Sequence, residues 1–184
     1  MFENISKLFK YKWNSEFINS LKPGPNKIAI PESVSQDIKT GFFLMLVGAV
    51  VNAINSVLGT YIGQVVVENF VNQFSGKNIS LNLGHFGIVT ALTSAVLNAL
   101  IIFLLMSYFT GDKVRKALPY CIMLGISLLA LVFSIFGLIG SLSSFYFSFY
   151  TGILNLIYTV LCIMALANIS VGCIDFCLAA NQSE

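Results

Sequence analysis

Four long apolar segments dominate the sequence, and each is long enough to cross a lipid bilayer. They cover residues 41–67, 86–110, 118–141 and 149–178. None of them carries a Lys or Arg in its body, and about 20 helical residues cross a hydrocarbon core about 30 Å thick. The sequence therefore predicts an all-α, integral membrane four-helix bundle at residues 41–184. An N-terminal arm and a proline-containing linker precede it at residues 1–40.

The composition argues against most functions of soluble proteins. Hydrophobic residues make up 57% of the 184 residues and charged residues only 10%, whereas soluble domains carry roughly 25% charged residues. The formal charge of +2 is small and dispersed, so we predict no nucleic-acid partner, which would need a clustered basic surface. No cleavable signal peptide is predicted, because residues 1–39 contain no uninterrupted apolar core. The four cysteines lie in or beside predicted spans, and we expect free thiols.

Basic residues are concentrated before the first span and between the second and third spans. They are Lys7, Lys10, Lys12, Lys22, Lys27 and Lys39, followed by Lys113, Arg115 and Lys116. Because basic loops remain on the cytoplasmic side, we expect both termini and the loop at residues 111–117 to be cytoplasmic. The other two loops then face outwards. The first of these carries Asn78-Ile79-Ser80, which fits the N-glycosylation pattern.

Aromatic and aliphatic side chains recur at helical spacing within residues 2–21. Those that share one side are Phe2, Ile5, Phe9, Trp13 and Phe17. Such a pattern predicts an amphipathic helix, which the prolines after residue 22 would end. The helix would lie flat on the cytoplasmic leaflet or pack against protein, and the pattern does not separate these alternatives.

Small and amide residues form stripes along the predicted spans. On the first span Gly48, Asn52, Asn55, Gly59 and Gly63 recur every three or four residues, and Gly59 with Gly63 makes a small-xxx-small pair. Asn98 on the second span and Asn155 on the fourth lie on similar stripes. These faces predict close helix packing with interhelical hydrogen bonds. In the alternative interpretation, the four asparagines line a polar track for a small solute.

Residues suited to acid–base chemistry are few, and no enzymatic activity is predicted. Glu68 and His85 flank the same outer loop, but a zinc site needs three or four ligands. We therefore predict no catalytic residue, no cofactor and no metal. Cys173 and Cys177 lie one helical turn apart at the cytoplasmic end of the last span. They are candidates for palmitoylation, or else buried structural thiols.

Several landmarks from residue 86 onward resemble the Yip1 type of small polytopic membrane protein. Tyr108-Phe109-Thr110-Gly111 ends the second span before a basic turn, and Leu118-Pro119-Tyr120 opens the third. Ile157-Tyr158-Thr159-Val160-Leu161 lies in the fourth, and residues 17–31 are similar to that family's segment before its first span. The sequence departs from the family in two respects. Gly111-Asp112 stands where a glycine pair is usual, and there are four spans where five are typical.

The resemblance implies a non-enzymatic membrane protein associated with trafficking in eukaryotes. From the residues themselves we expect an accessory or scaffolding subunit of a membrane protein complex, or a Yip1-like membrane organiser. Its partners would be membrane lipids and other membrane subunits or a second copy of the chain. The alternative is a small channel or carrier with an asparagine-lined track.

Overall fold

The computed structural model describes residues 2–24, 27–76, 80, 84–146 and 148–182. Six α-helices run through these residues: α1 (Phe2–Lys10), α2 (Ser15–Ser20), α3 (Glu32–Ser75), α4 (Gly84–Gly111), α5 (Leu118–Ser143) and α6 (Phe149–Gln182). Two short strands, β1 (Lys27–Ala29) and β2 (Val114–Lys116), pair antiparallel, and Ser144–Tyr146 forms a 3-10 turn. Asn78 and Ile79 of the glycosylation pattern lie outside the described residues.

The four long helices confirm the predicted all-α fold, and α3, α4, α5 and α6 are each long and apolar enough to cross a membrane. They fit an integral multi-pass membrane protein. The helix α3 is longer than its predicted span, with 44 residues, or about 66 Å at 1.5 Å per residue. It begins directly after Pro31 and ends at Gly76, whose φ of 64° is left-handed. Glycine adopts that conformation without a steric penalty, so it closes the helix there.

The long helices pack in the order α4–α3–α6–α5. The helix α3 lies between α4 and α6, and α6 lies between α3 and α5. One end of this row holds the start of α3, the end of α6, the two short helices and the β1–β2 pair, and we call it the basic end. The other end holds the α3–α4 and α5–α6 connections, and we call it the opposite end.

The hydrophobic core is concentrated at the basic end, around the C-terminal half of α6. Every residue of the segment 164–174 is buried, so this part of α6 is covered on all sides. Two glycines allow α3 to approach it closely: a Cβ at Gly41 would lie 2.5 Å from Cγ1 of Ile169, and one at Gly172 would lie 2.8 Å from Cγ1 of Ile38. At Gly41 the Cβ would also lie 2.7 Å from the backbone oxygen of Ala165, so a larger side chain would force the two helices apart. At Gly172 the side chain of Ile38 would have to shift, and the backbone oxygen of Val34 would lie 3.2 Å away.

The N-terminal arm is two helices rather than the single helix predicted over residues 2–21. The chain leaves the helical path after Lys10, and the Asn14 Oδ1 then accepts a hydrogen bond from the Phe17 backbone N at 2.7 Å. An asparagine cap of this kind starts a new helix, which is why the prediction of one helix was wrong. The bend brings Tyr11, Trp13 and Phe17 together, with ring centroids 5.3–6.1 Å apart.

The thiols of Cys121 and Cys177 offer a test of how α5 packs on α6, because their sulfur atoms lie 2.9 Å apart. We expect a mild oxidant such as copper phenanthroline to remove one hydrogen from each thiol and join the two sulfurs within one chain. Peptide mass spectrometry after alkylation and digestion would identify the cross-link. Cys121→Ser should abolish it, and a link from Cys121 to Cys162 instead would contradict this packing.

Candidate functional site

A cavity of about 480 Å³ lies between α3 and α6 at the opposite end. It is lined by Asn55, Ser56, Gly59, Ile62, Gly63, Val66 and Val67 of α3 and by Ser144, Thr151 and Asn155. On α3, Asn55, Gly59 and Gly63 are spaced by four residues, which places them on one face of the helix. The glycines contribute no side chain to this face, and a space is left beside it.

Three hydrogen-bonded side chains form a polar network along one wall of this cavity. Asn55 Nδ2 donates to Asn155 Oδ1 at 2.6 Å, and Asn155 Nδ2 donates to Ser144 Oγ at 2.7 Å. This network therefore joins α3 to α6, and α6 to the turn after α5. Hydrogen bonds between helices in a membrane stabilise by about 0.6–2 kcal/mol each.

One acceptor in this network has no hydrogen-bond partner. The Oδ1 atom of Asn55 is buried without a hydrogen bond among the residues that the structure describes. A buried acceptor without a partner costs about 1–3 kcal/mol. Asn55 lines the cavity, so a small rotation of its amide would present this acceptor to a hydroxyl or amide donor there. The site is therefore suited to a polar group carried on an otherwise apolar molecule or helix.

Asn52 and Asn98 lie at a different interface from Asn55 and Asn155. They line a space of about 20 Å³ between α3 and α4, which is close to the volume that one water needs. Asn98 Nδ2 donates to Ser94 Oγ on its own helix at 3.4 Å. The structure thus joins two of the four predicted asparagines by a hydrogen bond and places the other two at the neighbouring contact between α3 and α4.

The glycine stripe of α3 is likewise divided. A Cβ at Gly48 would lie 3.6 Å from Cδ2 of Tyr158, an ordinary contact with α6. At Gly59 and Gly63, by contrast, no atom of the described residues lies within 4 Å of such a Cβ, apart from the adjacent residues and the backbone of α3 itself. The small-xxx-small pair is therefore not used for packing between the described helices of one chain.

The arm docks on the basic end through a buried amide. Asn4 Nδ2 donates to Asp37 Oδ1 at 2.9 Å and to Asn168 Oδ1 at 2.8 Å, so it joins α1 to both α3 and α6. Asn168 in turn donates to the Met164 carbonyl oxygen at 2.7 Å. Asn4, Asp37 and Asn168 were not predicted from sequence, although Asn168 interrupts the apolar stretch of the fourth span and carried that signal.

The predicted apolar face of the arm is divided between protein and surroundings. Ile5 packs beside Leu44 and Met164 of the long helices. Phe2 is 74% exposed, Phe9 77% and Trp13 45%. The arm therefore packs against protein on one side, as one of the two alternatives predicted, and presents aromatic rings on another side, where contact with the leaflet stays a prediction.

Tyr11 fixes the end of α1 to the end of α6. Its hydroxyl donates to Asp175 Oδ1 at 2.5 Å. Burial raises the pKa of Tyr11 well above its usual value, and the hydrogen bond to the Asp175 carboxylate raises it further. The phenol therefore stays protonated at neutral pH and remains a donor to that carboxylate.

The two thiols proposed for lipidation are enclosed. Cys173 and Cys177 are both 0% exposed, so acylation of either would require the end of α6 to open. All four cysteines are free. Among the described residues, no group of three or more His, Cys, Asp and Glu side chains could hold a metal ion.

Comparison of the chain with protein-family models, curated proteins and solved structures found no match. The resemblance to Yip1-type proteins stays a prediction. Two of its landmark residues, at the connection between α4 and α5, have packing roles in this structure. The Tyr120 hydroxyl donates to the Phe109 carbonyl oxygen at 2.6 Å, and the centroids of the two rings lie 5.1 Å apart.

Two alanine substitutions compare the stability supplied by the Asn55–Asn155–Ser144 network with that supplied by Asn98 at the contact between α3 and α4. Asn155→Ala removes a residue hydrogen-bonded to both Asn55 and Ser144 and should lower the free energy of unfolding by about 1–2 kcal/mol. Asn98→Ala, the matched control, removes one long bond within α4 and should cost less than about 0.5 kcal/mol. Thermal unfolding in detergent would measure both losses of stability. Equal losses would contradict a stabilising role for the hydrogen bonds of Asn155.

The single tryptophan reports directly on the arm, because Trp13 is the only one in the sequence. If its exposed edge lies at the leaflet surface, lipids that carry a quencher near the headgroup should reduce its fluorescence in proteoliposomes more than lipids quenched at the chain end. Phe9→Glu places a charge on the exposed face and should weaken that quenching. Equal quenching at both depths, or none, would contradict a leaflet contact.

Proposed function

We propose that the protein is a non-enzymatic, multi-pass membrane protein that acts as an accessory or scaffolding subunit. It does so by binding a transmembrane helix of a partner along α3 at the opposite end, beside Gly59 and Gly63. The open face at Gly59 and Gly63 carries this proposal. A Yip1-like membrane organiser would use the same kind of lateral contact.

The contrast among the glycines is the main support for a partner helix. Gly41 and Gly172 are packed closely between α3 and α6, and Gly87 of α4 packs against Thr60. Gly59 and Gly63 have open space around them, although glycines at this spacing are typical of contacts between membrane helices. A second helix laid on this face would approach the backbone of α3 as closely as α6 does at the basic end.

The chemistry of the cavity indicates what such a helix would carry. The Asn55 Oδ1 is an acceptor without a hydrogen-bond partner among the described residues, and the neighbouring Ile62, Val66 and Val67 are apolar. A partner helix with one Ser, Thr or Asn among aliphatic residues would match both features. Because an unpaired polar group is costly in lipid, that match would favour the partner over lipid chains.

The charge distribution supports an orientation with the basic end in the cytoplasm. The strands β1 and β2 place Lys27, Arg115 and Lys116 at this end, and basic segments remain on the cytoplasmic side. Both termini are then cytoplasmic, and the aromatic side chains of the arm face the inner leaflet. The cavity beside Asn55 lies towards the outer leaflet.

A small channel or carrier is the second candidate, and the Asn55–Asn155 pair is what favours it. A solute path would need polar groups that continue along the bundle. Asn52 and Asn98 line a separate space between α3 and α4 of only about 20 Å³. Because a space of that size holds about one water, the four asparagines do not line one continuous path, and the scaffold is the better supported of the two functions.

Site-specific photo-crosslinking in native membranes tests the scaffold directly. A photoreactive phenylalanine at Gly59 should give an adduct with a transmembrane segment of another protein, which mass spectrometry identifies. The matched control is Gly125 of α5, which also has open space around it among the described residues. At that position we expect adducts with lipid only.

Leucine substitutions give the complementary result. Gly59→Leu with Gly63→Leu fills the open face without a clash inside the chain and should lower co-purification of the crosslinked partner by about tenfold, equal to about 1.4 kcal/mol, at unchanged thermal stability. Gly41→Leu should instead destabilise the chain itself. If the Gly59 adduct is a second copy of the chain, the subunit is homo-oligomeric. Lipid adducts alone at Gly59, together with solute flux in proteoliposomes that Asn55→Ala alters, would replace the scaffold with the channel.

A further inference from the structure

The β1–β2 pair brings positive charges together at the boundary of the apolar spans. Lys27 pairs with Lys116 across the two strands, and Ile28 pairs with Arg115. The Ile30 backbone N also donates to the Lys113 carbonyl oxygen at 2.8 Å, which continues the pairing by one more bond. Two lysines directly opposite each other repel, so this register is favoured where an anion lies nearby.

A cavity of about 320 Å³ lies beside these strands. Three basic residues line it, namely Lys27, Arg115 and Lys116, together with one acidic residue, Asp112. The lining thus has an excess of positive charge. Leu118 and Pro119 provide an apolar part of the wall, at the point where α5 enters its apolar span.

Arg115 is held in place by its neighbours and retains an unused donor. Its guanidinium lies 4.4 Å from the ring centroid of Tyr108, and Nη2 donates to the Tyr108 carbonyl oxygen and approaches Asp112 Oδ2, both at 2.8 Å. The side chain is only 21% exposed. Its Nε is buried with no hydrogen-bond partner in the described part of the chain. Arg115 lines the cavity, and a guanidinium held in place in this way is suited to binding an oxyanion.

We propose that this cavity binds a phosphate group. Arg115 supplies a preorganised donor, and Lys27 and Lys116 supply charge from the two strands. Asp112 does not prevent this, because its carboxylate is already paired with Nη2 of Arg115. The apolar wall at Leu118 and Pro119 would accommodate the glycerol and first chain carbons of a lipid that carries the phosphate. Basic pockets at the ends of membrane helices bind anionic headgroups in this way.

The test uses the full-length protein in an uncharged detergent and three probes. Dioctanoyl phosphatidic acid carries the phosphate on a lipid, inorganic phosphate carries it alone, and dioctanoylglycerol is the matched lipid without it. We expect phosphatidic acid to raise the melting temperature and to remain bound in native mass spectrometry, and dioctanoylglycerol to do neither. A shift with inorganic phosphate as well would show that the phosphate alone is sufficient, whereas a shift with phosphatidic acid only identifies a lipid headgroup as the source.

Charge-neutral variants locate the binding. Lys27→Gln with Lys116→Gln leaves the contacts of Arg115 intact and should weaken phosphatidic acid binding by about tenfold or more, while the melting temperature without lipid is not lowered. Arg115→Gln should weaken binding further, but it also removes contacts with Tyr108. Lys39→Gln, at an exposed position of α3 in the same end of the protein, is the control and should bind normally. Equal binding of dioctanoylglycerol, no binding of either phosphate probe, or an equal loss in Lys39→Gln would overturn the proposal.

Discussion

The close contact of α3 with α6 at the basic end is the interaction on which the rest of the structure depends. Gly41 and Gly172 let the two backbones approach, so that residues 164–174 of α6 are buried on every side. In lipid there is little hydrophobic gain from joining apolar helices, and close packing must supply the attraction. α1 and α5 then complete the cover around α6, through Asn4 and through the Tyr120–Phe176 ring pair.

Concentrating the packing at one end leaves the other end open. Towards the opposite end, α3 and α6 are joined by the Asn55–Asn155 bond, and the face at Gly59 and Gly63 has no close neighbour among the described residues. The hydrogen bond fixes the spacing of the two helices without filling it. A cavity with a polar wall is the physical result, which makes this end the better place for another helix or a small molecule to bind.

The four spans and the all-α fold could be predicted from sequence because they depend on the length and polarity of single segments. The different surroundings of the glycines on α3 could not be predicted from sequence. Gly48 packs on α6, whereas Gly59 has no close neighbour among the described residues, and this difference depends on which helices pack side by side. The paired strands were missed because each has three residues and their partners are far apart in sequence. The helix break in the arm was indicated locally, by Asn14 as a cap, but the apolar periodicity through residue 17 obscured it.

The docking of the arm and the contact of α3 with α6 depend on each other. Asn4 donates to Asp37 of α3 and to Asn168 of α6, and Asn168 is only 2% exposed. If the arm left, the Asn168 Oδ1 would lose that donor beside apolar helices, and a buried polar group without a partner is costly. The arm therefore stabilises the basic end as well as covering it. Because Phe2 and Phe9 are exposed while α1 is docked, a membrane contact through these rings would not require the arm to leave the bundle.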